Sequence, residues 1–329
     1  MKTLLIHFLF AVCCTMQALG QHISAVVTER VTFKSGSNTL VGILYKPADA
    51  KPNAKLSAVV VTGSWTTVKE QMPAVYAARL AEQGFLALAF DFTGYGESGG
   101  KDRNVESAKQ KVQDIKAAAT YLLGLKTVQG DKVGALSICA SAGYMAIAAA
   151  EDSRIKSYVG VAPWLHNAEI VKAIYGGEEG VKTRVAQAQA ARKQYQQNGM
   201  VEYIPAMSTT NPKAAMYGEF FGSFPWDYYT NENRGRVPQW PNQFAVMAWE
   251  EWLTFDPIAI APRVMQPVLL VGGPTIATPQ GADQFYEKLP NAKKQKLWIE
   301  GPVQLDFYDQ AKYVWQATEA AAKWFKETM

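Results

Sequence analysis

Cysteine and histidine are scarce, with three of each in 329 residues. None shows the spacing of zinc ligands, so a centre built from thiolates and imidazoles is excluded and no metal is expected. Charge of one sign is scarce too. Thirty-three Lys+Arg against 29 Asp+Glu leave +4, too weak and too dispersed for a surface that binds nucleic acid or anionic lipid. No apolar run reaches the roughly 20 residues of a membrane-spanning helix. There is no internal repeat or low-complexity tract, and 48% apolar with 19% charged residues is globular composition. No G-x-G-x-x-G follows a strand pattern, which removes the usual dinucleotide signature, and no cofactor is expected.

The N-terminus changes what these scarce residues mean. Lys2 is followed by an apolar stretch, Leu4 to Leu19, and then by the small-x-small sequence Ala18-Leu19-Gly20 before Gln21. This reads as a secretory signal peptide over residues 1–20, with the protein exported to the periplasm or secreted and no membrane span left after cleavage. Val12 before Cys13 argues against a lipoprotein box. Cleavage removes Cys13, Cys14 and His7, and leaves Cys139, His22 and His166 in a chain of 309 residues. A single cysteine forms no intramolecular disulfide, so residues 21–329 must be stabilised by their core. A chain of that size buries about three quarters of its unfolded surface.

Two β-rich runs, Val26 to Phe33 and Thr39 to Lys46, flank Lys34-Ser35-Gly36-Ser37-Asn38, a hairpin signal. Short apolar runs then alternate with helical patterns. The runs are Leu56 to Thr62, Leu86 to Asp91, Val133 to Ser137, Tyr158 to Ala162, Pro267 to Gly272 and Lys296 to Ile299. The helical patterns are Gln71 to Gln83, Asn104 to Leu125, Ala140 to Ala150, Pro279 to Leu289 and Tyr308 to Lys326. This alternation predicts an α/β fold with a mostly parallel sheet covered by helices on both faces, led by an antiparallel hairpin. The gap over residues 163–266 reads as a cap inserted into one domain, with helices over Glu178 to Asn198 and Asn242 to Leu253. It holds 16 of the 38 aromatic residues, among them Trp226, Tyr228, Tyr229, Trp240, Trp249 and Trp252. Those rings either line a pocket for an apolar or acyl small molecule or form the core of the cap itself.

The stretch Val133-Gly134-Ala135-Leu136-Ser137-Ile138-Cys139-Ala140-Ser141-Ala142-Gly143-Tyr144 ends a strand and begins an Ala-rich helix at once. Small neighbours around a nucleophile are what a strained strand-to-helix turn requires. Two registers fit: one presents Cys139, the other Ser141. The nearby helix N-terminus is expected to lower a thiol pKa.

Together with Val68-Lys69-Glu70-Gln71, the run Phe90-Asp91-Phe92-Thr93-Gly94-Tyr95-Gly96-Glu97-Ser98-Gly99-Gly100 and Asp306-Phe307-Tyr308-Asp309, this segment resembles the dienelactone-hydrolase-like branch of the α/β-hydrolases, which includes polyketide-transferase-like proteins. The resemblance implies an α/β-hydrolase fold and Cys139 as nucleophile. It also implies oxyanion donors at Ala140 N–H and at Trp65 or Ser64 N–H, where Gly63 fits a backbone that approaches a ligand.

The same resemblance exposes two gaps. The loop after the strand Pro267 to Gly272 carries no carboxylate, and Gln304 stands where the histidine belongs. Gln cannot act as a general base near neutral pH. His166 is the candidate replacement, at the sheet edge where ligands of open α/β sheets bind, and Asp306 is the carboxylate nearest the lost histidine. The expected activity is hydrolysis or acyl transfer at an ester, thioester or lactone. The alternative is an inactive binding or scaffold protein that keeps the fold.

Overall fold

A computed structural model describes residues 26–51, 53–218, 227–290 and 292–329. The expected signal peptide, His22 and Trp226 lie outside the described residues. No helix among the described residues is long and apolar enough to cross a membrane.

Eight strands form the central sheet: β1 (Val26–Ser35), β2 (Asn38–Pro47), β3 (Ala58–Thr62), β4 (Leu86–Phe90), β5 (Val133–Ile138), β6 (Ile155–Val161), β7 (Val268–Gly272) and β8 (Lys294–Trp298). Their spatial order is β1-β2-β4-β3-β5-β6-β7-β8. The β1–β2 hairpin and the β2–β4 pairing are antiparallel, and every later pairing is parallel. Strands β3, β4, β5 and β7 are buried along their whole length. Helices cover both faces of the sheet, which is why these strands read as continuous apolar runs rather than alternations. The edge strand β8 carries Lys294 and Lys296, charge that discourages further strand pairing.

The sheet is covered by α1 (Met72–Glu82), α2 (Ala108–Leu123), α3 (Ser141–Glu151), α7 (Pro279–Lys288) and α8 (Ala311–Thr328), while α4 (Ala168–Ile174), α5 (Gly177–Asn198) and α6 (Trp249–Thr254) belong to the segment between β6 and β7. Two glycines are required by packing. A Cβ on Gly134 in β5 would fall 2.7 Å from Met329 Sδ and 3.0 Å from the Phe325 ring, so the C-terminal segment seats directly on the strand. A Cβ on Gly143 in α3 would fall 2.7 Å from Phe255 and 2.8 Å from Pro257.

Three of the element boundaries that differ from the sequence expectation matter for the site. Helix α2 begins at Ala108 rather than Asn104, because the Ser107 hydroxyl caps it by accepting from Gln110 N–H at 3.3 Å. Glu106 is thereby freed to point inward. The last helix begins at Ala311 rather than Tyr308, because Asp306–Asp309 makes a separate turn and Gln310 is extended. In the segment between β6 and β7, residues Gln243–Ala245 are not helical. They pair with Tyr203–Pro205 as a small antiparallel ribbon, ahead of α6.

The aromatic rings of this segment pack on one another and on the sheet-edge loops as the core of the cap. Trp65, from the loop after β3, stacks with Phe244, Trp249 and Trp252 at centroid distances of 4.6, 6.1 and 5.4 Å. Tyr229 packs on Trp240 and Tyr308. The cap core is therefore continuous with the loop beside Cys139. Hydrogen bonds from Gln71 Nε2 to the Gly235 carbonyl and from Trp240 Nε1 to the Thr66 carbonyl, at 2.7 and 2.9 Å, fasten it down.

Candidate active site

Cys139 occupies the turn between β5 and α3 with φ +58°. A left-handed conformation at a non-glycine residue costs about 1–3 kcal/mol and persists only where its surroundings over-determine it. Here the Cys139 N–H donates to the Val161 carbonyl, and its carbonyl accepts from Ala142 N–H and Trp164 N–H, all at 3.0 Å. The turn lifts the side chain above the carboxyl end of the sheet, under the cap, where it is buried.

Four donors surround Sγ: the hydroxyls of Ser64 and Tyr308 and the backbone N–H groups of Ala140 and Trp65. All four favour the thiolate, yet burial outweighs them and pushes the Cys139 thiol up. The lowering expected from the helix N-terminus is thus reversed by desolvation. Ser141 faces elsewhere: its Oγ accepts from Thr62 Oγ1 at 2.9 Å and donates to the Ile138 carbonyl at 3.1 Å. Gly63 is required by packing, since a Cβ there would meet Pro73 at 2.6 Å and Thr67 Oγ1 at 2.7 Å.

Gln304 sits beside the loop that follows β7. Its Oε1 accepts from Ala277 N–H at 2.9 Å, and its Nε2 donates to the Ala162 carbonyl at 2.8 Å and to Tyr308 Oη at 3.2 Å. Ser64 joins the same group. It accepts from Tyr229 O–H at 3.0 Å and lies 3.4 Å from Tyr308 Oη. A chain of hydroxyls therefore runs from Tyr229 and from Gln304 to the sulfur. Burial and the neighbouring Cys139 raise the phenols of Tyr308 and Tyr229.

His166 is buried but turned to the cap. Its Nδ1 accepts from Trp164 Nε1 at 2.8 Å, which puts the ring proton on Nε2, and its ring packs against Trp252 and Phe255. Burial holds its pKa down to about 4. The one nitrogen with a lone pair is thus committed to an indole, and no hydrogen bond joins His166 to Cys139 among the described residues. Asp306 accepts from Val303 N–H at 3.0 Å and caps its own turn; it does not meet His166. The structure therefore brings together Cys139, Ala140, Trp65 and Gln304, and leaves Ser141, His166 and Asp306 outside their circle.

Two ion clusters, one buried and one reaching the surface, brace the site. Glu106 accepts from Tyr144 O–H and Lys111 Nζ at 2.6 Å each, from Tyr95 O–H at 2.7 Å and from Thr66 N–H at 3.3 Å. It thereby ties the Trp65 loop to the helix that starts beyond Cys139. Thr66, next to Trp65, is itself left-handed at φ +60°. Lys111 lies over the rings of Phe92, Tyr95 and Tyr144. In the second cluster Lys69 Nζ donates to Glu70, Asp91 and Glu97 at 2.6, 2.9 and 2.6 Å. Those three carboxylates are close enough to hold a metal ion, but the ammonium already fills their centre. Val68-Lys69-Glu70-Gln71 and the Phe90 to Gly100 run meet in this cluster, which accounts for two of the motifs behind the resemblance.

Sequence reasoning missed the hydroxyls of Ser64 and Tyr308 at the sulfur and of Tyr229 behind Ser64. Ser64 was considered only for its backbone N–H and Tyr229 only as a cap ring, while Tyr308 lay inside the Asp306–Asp309 motif, four residues beyond Gln304.

The PET hydrolase-like family model matches residues 15–202. The chain belongs to the PET hydrolase-like family. This is an esterase-type hydrolase family of the α/β-hydrolase fold, in agreement with the sheet and its helices. Among similar proteins, the uncharacterized protein YcjY of Escherichia coli (strain K12) is 27% identical over 318 residues, covering 92% of this chain and all of the relative. The crystal structure of hypothetical protein PA2218 from Pseudomonas aeruginosa superposes with a TM-score of 0.78 at 27% identity, over 93% of this chain and 95% of that one. The polyketide transferase claH of Penicillium crustosum is 33% identical over 138 residues, 41% of this PET hydrolase-like chain and 44% of the relative.

Proposed function

We propose that this protein cleaves or transfers the acyl group of an ester, thioester or lactone through Cys139, with Ala140 N–H and Trp65 N–H as the oxyanion donors. The observation that carries the reading is the convergence of both N–H groups on the side chain of a left-handed residue at a strand-to-helix turn. A carbonyl oxygen that becomes anionic beside Sγ meets the same two donors, already fixed in place, so little reorganisation is needed when charge develops. The apolar wall of Trp65, Trp249 and Trp252 favours an apolar acyl group.

Intact-mass spectrometry after mixing with p-nitrophenyl acetate at pH 8 tests the reading. One acetyl group is expected on Cys139 in the wild type and in Ser141→Ala, and none in Cys139→Ala. An adduct on Ser141, or none on any protein with no p-nitrophenolate released, overturns it, and the second outcome favours the binding or scaffold alternative. We also propose that residues 1–20 direct export. N-terminal sequencing of the protein recovered from the periplasm is expected to begin at Gln21, and a chain that still begins at Met1 refutes this.

A further inference from the structure

Two of the four donors at Cys139 Sγ are hydroxyls that each already accept one hydrogen bond. Gln304 Nε2 donates to Tyr308 Oη, and Tyr229 O–H donates to Ser64 Oγ. Gln304 cannot be turned round, because Ala277 N–H requires its oxygen and the Ala162 carbonyl requires its nitrogen. Tyr308 therefore accepts from Gln304, and its own proton is left for Cys139 or for Ser64 Oγ, 3.4 Å away. The place of the missing histidine thus holds an amide that cannot move a proton but aims a phenol that can.

We propose that Tyr308 is the proton-transfer residue of the Cys139 reaction, acid to the leaving group and then base to the attacking water, with Gln304 as its positioning residue. The inference rests on Cys139 being the nucleophile. The thiol first loses its proton to bulk water, and the four donors hold the thiolate. The sulfur pair attacks the carbonyl carbon, and the carbonyl π pair moves to oxygen, held by Ala140 and Trp65 N–H. On collapse the bond from carbon to the leaving oxygen breaks, and that oxygen takes the Tyr308 proton as it departs as an alcohol. Acyl-Cys139 and a Tyr308 phenolate remain. The phenolate takes a proton from water as the hydroxide oxygen attacks the thioester carbon, and the carbon–sulfur bond breaks to give the acid, the thiolate and a neutral Tyr308. Burial makes Tyr308 a weak acid, suited to a strongly basic alkoxide and superfluous for a p-nitrophenolate that leaves unaided.

That difference supplies the test. The acylation rate is measured for the ethyl and p-nitrophenyl esters of one acid, with wild type and Tyr308→Phe. The variant is expected to lose about 10²- to 10⁴-fold on the ethyl ester and less than about tenfold in the p-nitrophenolate burst, with a slowed release of acid after the burst. Equal losses on both esters, or no loss on either, overturn the proposal. Should Tyr308→Phe fail to fold, a series of wild-type leaving groups decides: a shallow dependence of rate on leaving-group basicity supports the acid, and a steep fall refutes it. Cys139→Ala separates the two readings, because a burst that survives in it removes the nucleophile, whereas equal losses in Tyr308→Phe remove only Tyr308.

Discussion

Replacing His166 by Gln should change how stability depends on pH, and the size of the change follows from the structure. The ring is buried, accepts from the Trp164 indole and has no hydrogen-bond partner at Nε2 among the described residues, with the backbone carbonyls of Trp252 and Phe255 beside it. Burial lowers its pKa from 6.5 to about 4. Between those values the unfolded chain binds a proton that the folded chain refuses. The contribution is therefore fully present above pH 6.5 and is lost as pH falls towards 4. At 1.36 kcal/mol per pKa unit the loss is about 3 kcal/mol. Carboxylates titrate in the same window, so the useful quantity is the difference between wild type and His166→Gln in urea unfolding from pH 4 to 7.5. Wild type should be the more stable at pH 7.5, because Gln leaves part of the ring cavity empty, and the gap should narrow by about 3 kcal/mol on going to pH 4. A gap that stays constant with pH would refute the argument, and one that widens in acid would mean a paired imidazolium. The same variant bears on mechanism. An imidazole whose lone pair is committed to Trp164 contributes no proton transfer, so the dependence of kcat/KM on pH should keep its shape in His166→Gln.

Other outcomes follow from the same contacts. Alkylation of Cys139 by a small reagent should be slow at neutral pH and still rising beyond pH 9, since burial raises the thiol; labelling that saturates below pH 7 would contradict this. Glu106→Gln should destabilise the protein by about 3–5 kcal/mol, because Lys111 is left charged and buried. Adding Lys111→Met should recover much of that loss in thermal unfolding, and no recovery would show that the hydrogen bonds to Thr66, Tyr95 and Tyr144 matter more than the charge. Gly143→Val should cost about 1–3 kcal/mol, as its side chain drives into Phe255 and Pro257; a neutral effect in urea unfolding would show that the cap base gives way.

The centre of the sheet was legible because β3, β4, β5 and β7 announce themselves: five or six largely apolar residues, bounded by turns, at spacings that suit parallel crossovers. The turn at Cys139 was legible for a related reason, since small residues cannot be hidden in a pattern. The hydroxyl network was not. Ser64, Tyr229 and Tyr308 come from three separate segments and meet only because the cap folds back over the sheet. Tyr308 was further hidden by the helical periodicity into which it merges. The extended Gln310 breaks that helix and leaves Tyr308 on a short turn directed at the sulfur. His166 misled for the opposite reason. Its position after β6 is right for a ligand edge, but the ring is claimed by Trp164, two residues away, and by the cap. Sequence position located the sheet edge, while the direction of each polar side chain there was decided by which partner needed its hydrogen bond. Gln304 shows this most plainly: an amide fixed at both ends by the Ala277 N–H and the Ala162 carbonyl is left to orient the Tyr308 hydroxyl.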